Sequence, residues 1–242
     1  PPHLQDAIWD YPMSVQELRG WDDAEIRALF RRLNYVVERL SKQEMRHSQY
    51  FGEFVEAVEV LANEPFWDAY QIFSRRDSQR MRDVEFVSEL FILLIDGPQD
   101  QQKTLDRFYA DFDVEFPKKK HYVQCFRAVL QSLETLSDVI KETRFAKKAD
   151  FYALFGAAVT VTSYSKSPVN LSASSHKLRL LDDDLAKDPA HLSGTSAMYY
   201  ATVIEGPNKL AKRKLRISIL KDMMSSSRSE EHTSELQSPN TI

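Results

Sequence analysis

Apolar residues recur at helical spacing along almost the whole chain. Near the beginning, Ile26, Leu29 and Phe30 share one face of a helix. Just before them, the stretch "DYPMSVQELRG" at 10–20 places apolar residues close to alternation and contains a proline, which is typical of an extended segment. The pattern therefore predicts a short extended piece followed by a series of helices.

Two helix starts carry the residues of a capping box, in which a polar side chain and a glutamate three positions later bond each other's backbone N–H. These pairs are Asp22 with Glu25 and Ser41 with Glu44. Periodicity predicts the later helices at 53–62, 65–73, 79–95, 99–111, 118–141, 147–162, 174–185, 194–205 and 207–224. The apolar run "FILLI" at 91–95 predicts that the helix containing it is central and largely buried.

Composition agrees with a helical fold. The 242 residues are 43% hydrophobic, which is enough to bury a core, and include only six Gly and ten Pro. We predict a mainly α fold, a multi-helix bundle.

The net charge of -4 gives no general attraction to nucleic acid. Cys125 cannot form an internal disulfide, and no stretch reaches the roughly 18–20 apolar residues of a membrane span, so a cytoplasmic protein with no membrane contact is expected.

The sequence contains no self-contained catalytic motif. His121 and Cys125 lie at helical spacing, but two ligands are too few for a zinc site, and we predict no metal site. A Gly-x-Ser-x-Gly nucleophile motif and a glycine-rich phosphate loop are both missing from the sequence. The chain is therefore expected to be catalytically incomplete by itself.

Basic clusters offer one candidate interface. They occur at 117–122, 144–148 and 209–216, and the last is predicted to lie along one helix. The candidate contacts with a DNA backbone are Lys212, Arg213, Lys214 and Arg216, while Leu210, Leu215, Ile217 and Leu220 are expected to face inward. The alternative is that the cluster is an ordinary solvated helix surface.

A second candidate is the polar set around the junction of the first two helices. Arginine can hold phosphate with two hydrogen bonds, and the amides of Asn and Gln can bind a base or hold a backbone loop. The set includes Arg32, Asn34, Gln43 and Arg46. Glu44 has a structural role available in the capping box, so function and helix capping remain open alternatives for it.

The chain resembles one family on these residues. The stretches "ALFRRLNYVVERLSKQEMRHSQYFGEF", "LANEPFW" and "QRMRDVEFVSELFILLIDG" are similar to proteins with the GmrSD restriction-endonuclease N-terminal domain, a ParB-like domain of unknown function. The resemblance implies that 1–52 is the C-terminal remnant of a truncated ParB-like α/β domain, with the extended piece as part of it. It implies that 53–227 is a helical domain.

The resemblance also implies a site. Its motifs match Arg32, Leu33 and Asn34, then Gln43, Glu44 and Arg46. Of these, Arg32, Asn34, Gln43, Glu44 and Arg46 are the implied nucleotide-binding residues, and a nucleoside triphosphate with a divalent metal ion is the implied cofactor set of the full-length protein. The family's Asp-Gly-Gln-Gln-Arg motif is expected upstream of Pro1. A rival explanation is that Glu44 and Arg46 only tie the helix junction together.

Two functions follow as hypotheses. The first is a fragment of a nucleotide-dependent restriction or anti-phage defence protein, with DNA or a nuclease as partner. The alternative is a non-catalytic helical module that binds a partner protein or a DNA backbone. The end of the chain belongs to neither, because "RSEEHTSELQS" at 228–238 equals the in-frame translation of a common sequencing-library adapter, and 228–242 is expected to be an artefact.

Overall fold

The structure is a computed structural model that describes residues 11–12, 14–15, 17–36, 40–163, 165–204 and 206–235. Within these ranges, side chains are not described for 31, 33–36, 101–102 and 226–235. The chain divides into two compact units, Pro1–Leu40 and Ser41–Ile242.

Helices form the regular structure of the described residues, which confirms the predicted mainly α, multi-helix fold; no strand occurs in these ranges. In chain order the α-helices are α1 (Asp23–Val36), α2 (Lys42–His47), α3 (Glu53–Ala62), α4 (Phe66–Ala69), α5 (Arg75–Gln79), α6 (Arg82–Asp96), α7 (Gln101–Asp111), α8 (Lys119–Glu134), α9 (Ser137–Glu142), α10 (Lys148–Thr162), α11 (Ser175–Leu185), α12 (Gly194–Ile204) and α13 (Leu210–Glu235). Short 3₁₀ helices lie at Arg144–Ala146, Ser172–Ser174 and Pro189–His191. In the part of the chain that the structure describes, no helix is long and apolar enough to span a membrane.

The unit Pro1–Leu40 contains α1. The predicted capping box is confirmed: Asp22 N–H donates to Glu25 Oε2 at 3.0 Å, and Glu25 N–H donates to Asp22 Oδ1 at 2.8 Å. The described residues between 11 and 20 have no regular secondary structure. Residues 1–10, 13 and 16 lie outside the described residues, and the ParB-like remnant stays a prediction.

Helix α10 lies at the centre of the unit Ser41–Ile242. Every residue from 151 to 159 is buried, so this helix has no polar face and needs neighbours on all sides. It packs against α13, α8 and α6. Gly156 permits the close approach of α13, because a Cβ there would lie 2.7 Å from Ile217 Cδ1. The predicted burial of α6 is confirmed for the run from 86 to 94.

The helix bounds follow the prediction closely, with four differences. The last helix, predicted at 207–224, begins at Leu210 and continues to Glu235. The predicted helix at 79–95 is interrupted, because Met81 adopts the left-handed conformation with φ 51° and α6 begins after it. The helix predicted at 65–73 ends at Ala69, and Gln71 has φ 52°. The helix predicted at 118–141 divides into α8 and α9 around residues 135–136.

The division between the units also differs in place from the predicted domain boundary. It lies between Leu40 and Ser41, whereas the resemblance implies a domain boundary after residue 52, which stays a prediction. Helix α2 accounts for this difference, because it packs against α6 and buries Gln43 and Arg46 within the second unit. The predicted artefact at 228–242 is described only as helical backbone as far as Glu235, and 236–242 lie outside the described residues.

Phe54 tests the aromatic part of this core. Its side chain is fully buried, and its ring centre lies within 6.5 Å of five others: Phe91, Phe108, Tyr109, Phe112 and Phe116. We expect Phe54→Ala to lower the free energy of unfolding by about 3–5 kcal/mol, because the cavity cannot be refilled. Urea unfolding followed by circular dichroism measures this change. Phe51→Ala is the control, since Phe51 is 70% exposed, and it should change the value by less than about 0.5 kcal/mol. Equal losses would contradict the assignment of the core.

Candidate functional site

Helix α2 begins with the predicted capping box. Ser41 N–H donates to Glu44 Oε2 at 2.6 Å, and Glu44 N–H donates to Ser41 Oγ at 3.1 Å. Burial raises the pKa of Glu44, but the hydrogen bonds from Ser41 outweigh it and hold the pKa below its ordinary value. The Arg80 guanidinium lies 3.3 Å from the same Glu44 oxygen. Glu44 therefore has a structural role in capping α2 and connecting it to the loop before α6.

The next two motif residues are buried inside the helical unit. Gln43 Nε2 donates to Tyr109 Oη at 2.6 Å, and Tyr109 shares a further hydrogen bond of 2.8 Å with Ser88 Oγ. Arg46 Nε donates to Asp106 Oδ1 at 2.7 Å, and Arg46 Nη1 donates to Gln43 Oε1 at 3.1 Å. These bonds join α2 to α6 and α7.

Arg46 has one more partner that matters for the site. Its Nη1 lies 3.3 Å from Glu85 Oε1 in the first turn of α6. With this contact, each of Gln43, Glu44 and Arg46 forms hydrogen bonds or ion pairs within the fold, which favours the structural explanation of these three residues. Arg32 is exposed on α1 in the first unit, and the side chain of Asn34 lies outside the described residues, so a common site of the five predicted nucleotide contacts stays a prediction.

The predicted basic interface on α13 is divided by the fold. Lys214 is exposed, and Lys212 is partly exposed with its Nζ 3.0 Å from the carbonyl oxygen of Ala201. Arg213 and Arg216 are buried, with 3% and 0% of their surfaces exposed. Of the apolar residues expected to face inward, Ile217 and Leu220 do so, whereas Leu215 is 37% exposed. A DNA backbone can therefore reach only the two lysines of this set, and binding to them stays a prediction.

Arg213 is held by charge and by an aromatic ring. Its Nη2 lies 2.6 Å from Glu89 Oε2, and its guanidinium carbon lies 4.0 Å from the centre of the Tyr152 ring. Nη1 reaches the carbonyl oxygen of Gln99 at 3.4 Å. The Nε of Arg213 has no hydrogen-bond partner among the described residues.

Arg216 is a buried cation without an ion pair in the described ranges. Its Nη1 and Nη2 donate to the carbonyl oxygens of Thr202 at 3.1 Å and Pro207 at 2.5 Å, and its Nε is without a partner there. Burial lowers the pKa of Arg216 from its ordinary value. A guanidinium nevertheless stays protonated in proteins, so this helix carries a full positive charge in the interior.

A cavity of about 180 Å³ lies beside these two arginines. Three helices line it near their N-terminal ends: α6 and α10 with their early turns, and α13 with its first and second turns. The cationic lining residues are Arg82, Lys148, Arg213 and Arg216. The remaining ones are Glu85, Phe86, Glu89, Ala149, Tyr152 and Asn208. Glu85 also contacts Arg46, so one lining residue of the cavity is in contact with the α2 motif.

Next to Arg216, a closed network satisfies a buried carboxylate. Asp150, in the first turn of α10, accepts from Tyr199 Oη at 2.8 Å and from Arg144 Nε at 3.0 Å. Burial and the charge of Asp150 raise the pKa of Tyr199 well above its ordinary value, so this phenol stays a neutral donor. The counter-charge of Asp150 is therefore Arg144, with which it forms an ion pair.

Lys148 is fixed at the cavity by another ion pair. Its Nζ lies 2.6 Å from Asp77 Oδ1 in α5. Burial raises the pKa of Asp77, but the hydrogen bonds from Lys148 and Ser74 dominate and lower it to about 2. The pair joins α5 to the start of α10.

Sequence reasoning did not identify most of this cavity. Lys148 belongs to the basic cluster at 144–148, and Arg82 and Glu89 lie in a stretch that carries the family resemblance, but nothing in the sequence indicated that they meet Tyr152, because the helices that bring them together are distant in sequence. No group of three His, Cys, Asp or Glu side chains that could hold a metal ion occurs in the described ranges.

No protein-family model, curated protein or solved structure matches the chain. The family resemblance accordingly stays a hypothesis.

Arg46→Ala tests the structural role of the α2 motif. We expect it to lower the free energy of unfolding by about 2–3 kcal/mol, because Gln43 Oε1 and two carboxylates lose a charged donor. Chemical unfolding in urea measures the change. Arg75→Ala removes an exposed arginine from the same unit and should cost less than about 0.5 kcal/mol. If Arg46→Ala is as mild as this control, the network does not hold α2 in place.

The Asp77–Lys148 pair predicts a dependence of stability on pH. The folded-state pKa of Asp77, about 2, lies below its ordinary value of 3.8, so the contribution is present above 3.8 and is lost as the pH falls to 2. We expect the advantage of the wild type over Asp77→Asn in unfolding free energy to shrink by about 2 kcal/mol between pH 5 and pH 2. Lys148→Met should remove only part of this slope, because Ser74 still donates to Asp77. A difference independent of pH would contradict the pair.

Proposed function

We propose that this chain is part of a nucleotide-dependent restriction or anti-phage defence protein of the GmrSD N-terminal domain type. In this proposal the helical unit performs no bond chemistry. It connects the ParB-like core with DNA or with a nuclease partner.

Two sequence motifs support the proposal, at the spacing expected from the resemblance. The first, Arg-Leu-Asn at 32–34, lies in α1, and the second, with Gln43, Glu44 and Arg46, forms α2. In sequence, the two motifs lie on either side of the division between the units at Leu40 and Ser41. A sequence signature that crosses a unit boundary suits a role in connecting the two units.

The attachment of α2 is the observation that carries the proposal. The motif's own side chains bind α6 and α7, through Gln43 to Tyr109 and through Arg46 to Glu85 and Asp106. Buried, charge-assisted hydrogen bonds of this kind define one arrangement of the elements they join. A displacement of α2 would therefore be transmitted to the N-terminal turns of α6.

The described residues do not fit a nucleoside triphosphate and its metal ion. Hydrogen bonds within the fold already engage Gln43, Glu44 and Arg46. In the described part of the chain, no group of three side chains that could bind a metal ion lies together. The proposal accordingly derives no chemical step from these residues. Their role in it is to couple the nucleotide state of the core to the helical unit.

The experiment uses the product of the complete source gene. We measure its affinity for DNA with and without a nucleoside triphosphate, together with nucleotide hydrolysis. The nucleotide is expected to change DNA affinity at least about fivefold, the lower range of measured couplings. In Arg46→Ala, the DNA affinities with and without the nucleotide should become nearly equal, so that their ratio is close to one. Asn34→Ala should reduce nucleotide hydrolysis.

Arg75→Ala is the control variant and should keep the wild-type ratio. If the intact protein neither hydrolyses nucleotide nor changes its DNA affinity with it, the proposal fails. Salt-dependent DNA binding that then disappears when Lys212 and Lys214 are replaced by Gln would favour the alternative, a non-catalytic module that binds a DNA backbone. If the nucleotide changes the DNA affinity of Arg46→Ala as much as that of the wild type, α2 does not take part in the coupling.

A further inference from the structure

The cavity between the early turns of α6, α10 and α13 combines several features of an anion site. We propose that it binds the phosphate group of a small molecule. The inference does not depend on the proposed function, because no step of that function uses the cavity.

Unmatched positive charge is the first argument. Three ion pairs account for most charges at the cavity: Lys148 with Asp77, Arg213 with Glu89, and Glu85 with Arg46. Arg82 and Arg216 also line the cavity, and neither forms an ion pair with any described residue. Arg82 and Arg216 therefore remain without an ion-pair partner in these ranges. Because Arg46 contacts Asp106 as well as Glu85, the cavity and its ion-pair partners carry five cations against the four carboxylates of Asp77, Glu85, Glu89 and Asp106, and this excess of one positive charge favours an anionic ligand.

The burial of Arg216 is the second argument. Arg216 is completely buried, yet among the described residues its hydrogen-bond partners are the neutral carbonyl oxygens of Thr202 and Pro207. Removing a charge from water without a counter-charge is costly, so buried charges in proteins are normally paired. The Asp150 carboxylate acts on Arg216 without forming an ion pair with it and is already paired with Arg144, so a bound anion would be the counter-charge in contact with Arg216.

Unsatisfied donors are the third argument. The Nε atoms of Arg213 and Arg216 are buried and have no hydrogen-bond partner within the described ranges. Buried polar groups are nearly always hydrogen-bonded, so each exception needs an explanation. Both side chains line the cavity, and a phosphate has enough acceptor oxygens to satisfy more than one N–H.

The N-terminal ends of two helices add to the positive electrostatic potential at the cavity. Helices α6 and α10 have 15 residues each, and no side chain caps either N-terminus with a hydrogen bond. The N-terminal end of a helix carries roughly half a positive charge and directs N–H groups outward. The lining residues Arg82 and Lys148 are the first residues of these two helices. The backbone and the side chains therefore favour the same sign of ligand charge.

The volume limits the class of ligand. Pockets that bury a drug-sized molecule measure roughly 300–1,000 Å³, whereas this cavity measures about 180 Å³. It can enclose an anionic group but not a whole nucleotide. Inorganic phosphate and the phosphate end of a small ester share the recognised chemistry, and the experiment separates them.

The test measures binding to the 242-residue chain by calorimetry, and thermal unfolding in parallel. The probes are inorganic phosphate and glycerol 3-phosphate, with chloride at the same ionic strength as the reference. Saturable binding of phosphate with a raised melting temperature is expected, because a ligand of the folded state stabilises it. Tighter binding of glycerol 3-phosphate would identify an ester as the ligand, and equal or weaker binding would identify free phosphate.

Two variants remove the two unmatched cations. Arg82→Gln changes an exposed residue that makes no ion pair in the described ranges, and we expect it to weaken phosphate binding about tenfold. Arg216→Met should abolish binding. Arg75→Gln is the matched control, because Arg75 is also an exposed first residue of a helix but lies outside the cavity lining, and it should bind like the wild type.

The proposal is overturned if phosphate raises the melting temperature no more than chloride does and no saturable binding is found. It is also overturned if Arg82→Gln binds phosphate as tightly as Arg75→Gln. The second comparison is decisive even if Arg216→Met fails to fold, because both glutamine variants alter exposed residues.

Discussion

The burial of α10 on every side is the constraint on which the rest of the structure depends. A helix with no polar face can exist in water only if other elements cover its whole circumference. Helices α6, α8 and α13 provide this cover, and Gly156 allows α13 to approach closely enough to exclude water. The positions of these four helices are therefore set by one requirement.

The same packing explains why the charges collect at one end. The apolar part of α10 begins at Phe151, and the residues before it include the charged Lys148 and Asp150. At this end of the hydrophobic core, α6 contributes Glu89 and α13 contributes Arg213. The two form an ion pair, and the Arg213 guanidinium lies over the Tyr152 ring. Interior charges cost free energy unless they are paired, so the end of the core is the place where the fold tolerates them.

Much of the fold could be predicted from sequence because its signals are local. Capping boxes at Asp22 and Ser41 and the apolar period of each helix depend on neighbours within a few positions. The breaks at Met81 and Gln71 were missed, because nothing in a methionine or a glutamine signals a left-handed backbone. Tertiary packing imposes that conformation, and periodicity carries no information about it.

The buried charges illustrate a different limit. The stretch "KRKLR" was interpreted as a basic surface because its residues are cationic, yet Arg213, Arg216 and Leu220 are spaced at three and four residues and share a helix face with the core. Glu89 likewise lies on α6 between buried Phe86 and Leu93, at spacings of three and four. The charge of these side chains suggested that they are exposed, whereas their spacing relative to apolar residues is that of a buried helix face. The structure shows them buried. Buried charges are normally paired, and Glu89 with Arg213 forms such a pair between helices that are distant in sequence, which the spacing within one helix cannot predict. Arg216 lies on the same helix face and has no ion-pair partner among the described residues, so the burial of Arg213 is explained by an ion pair, whereas the described part of the fold holds Arg216 through carbonyl oxygens.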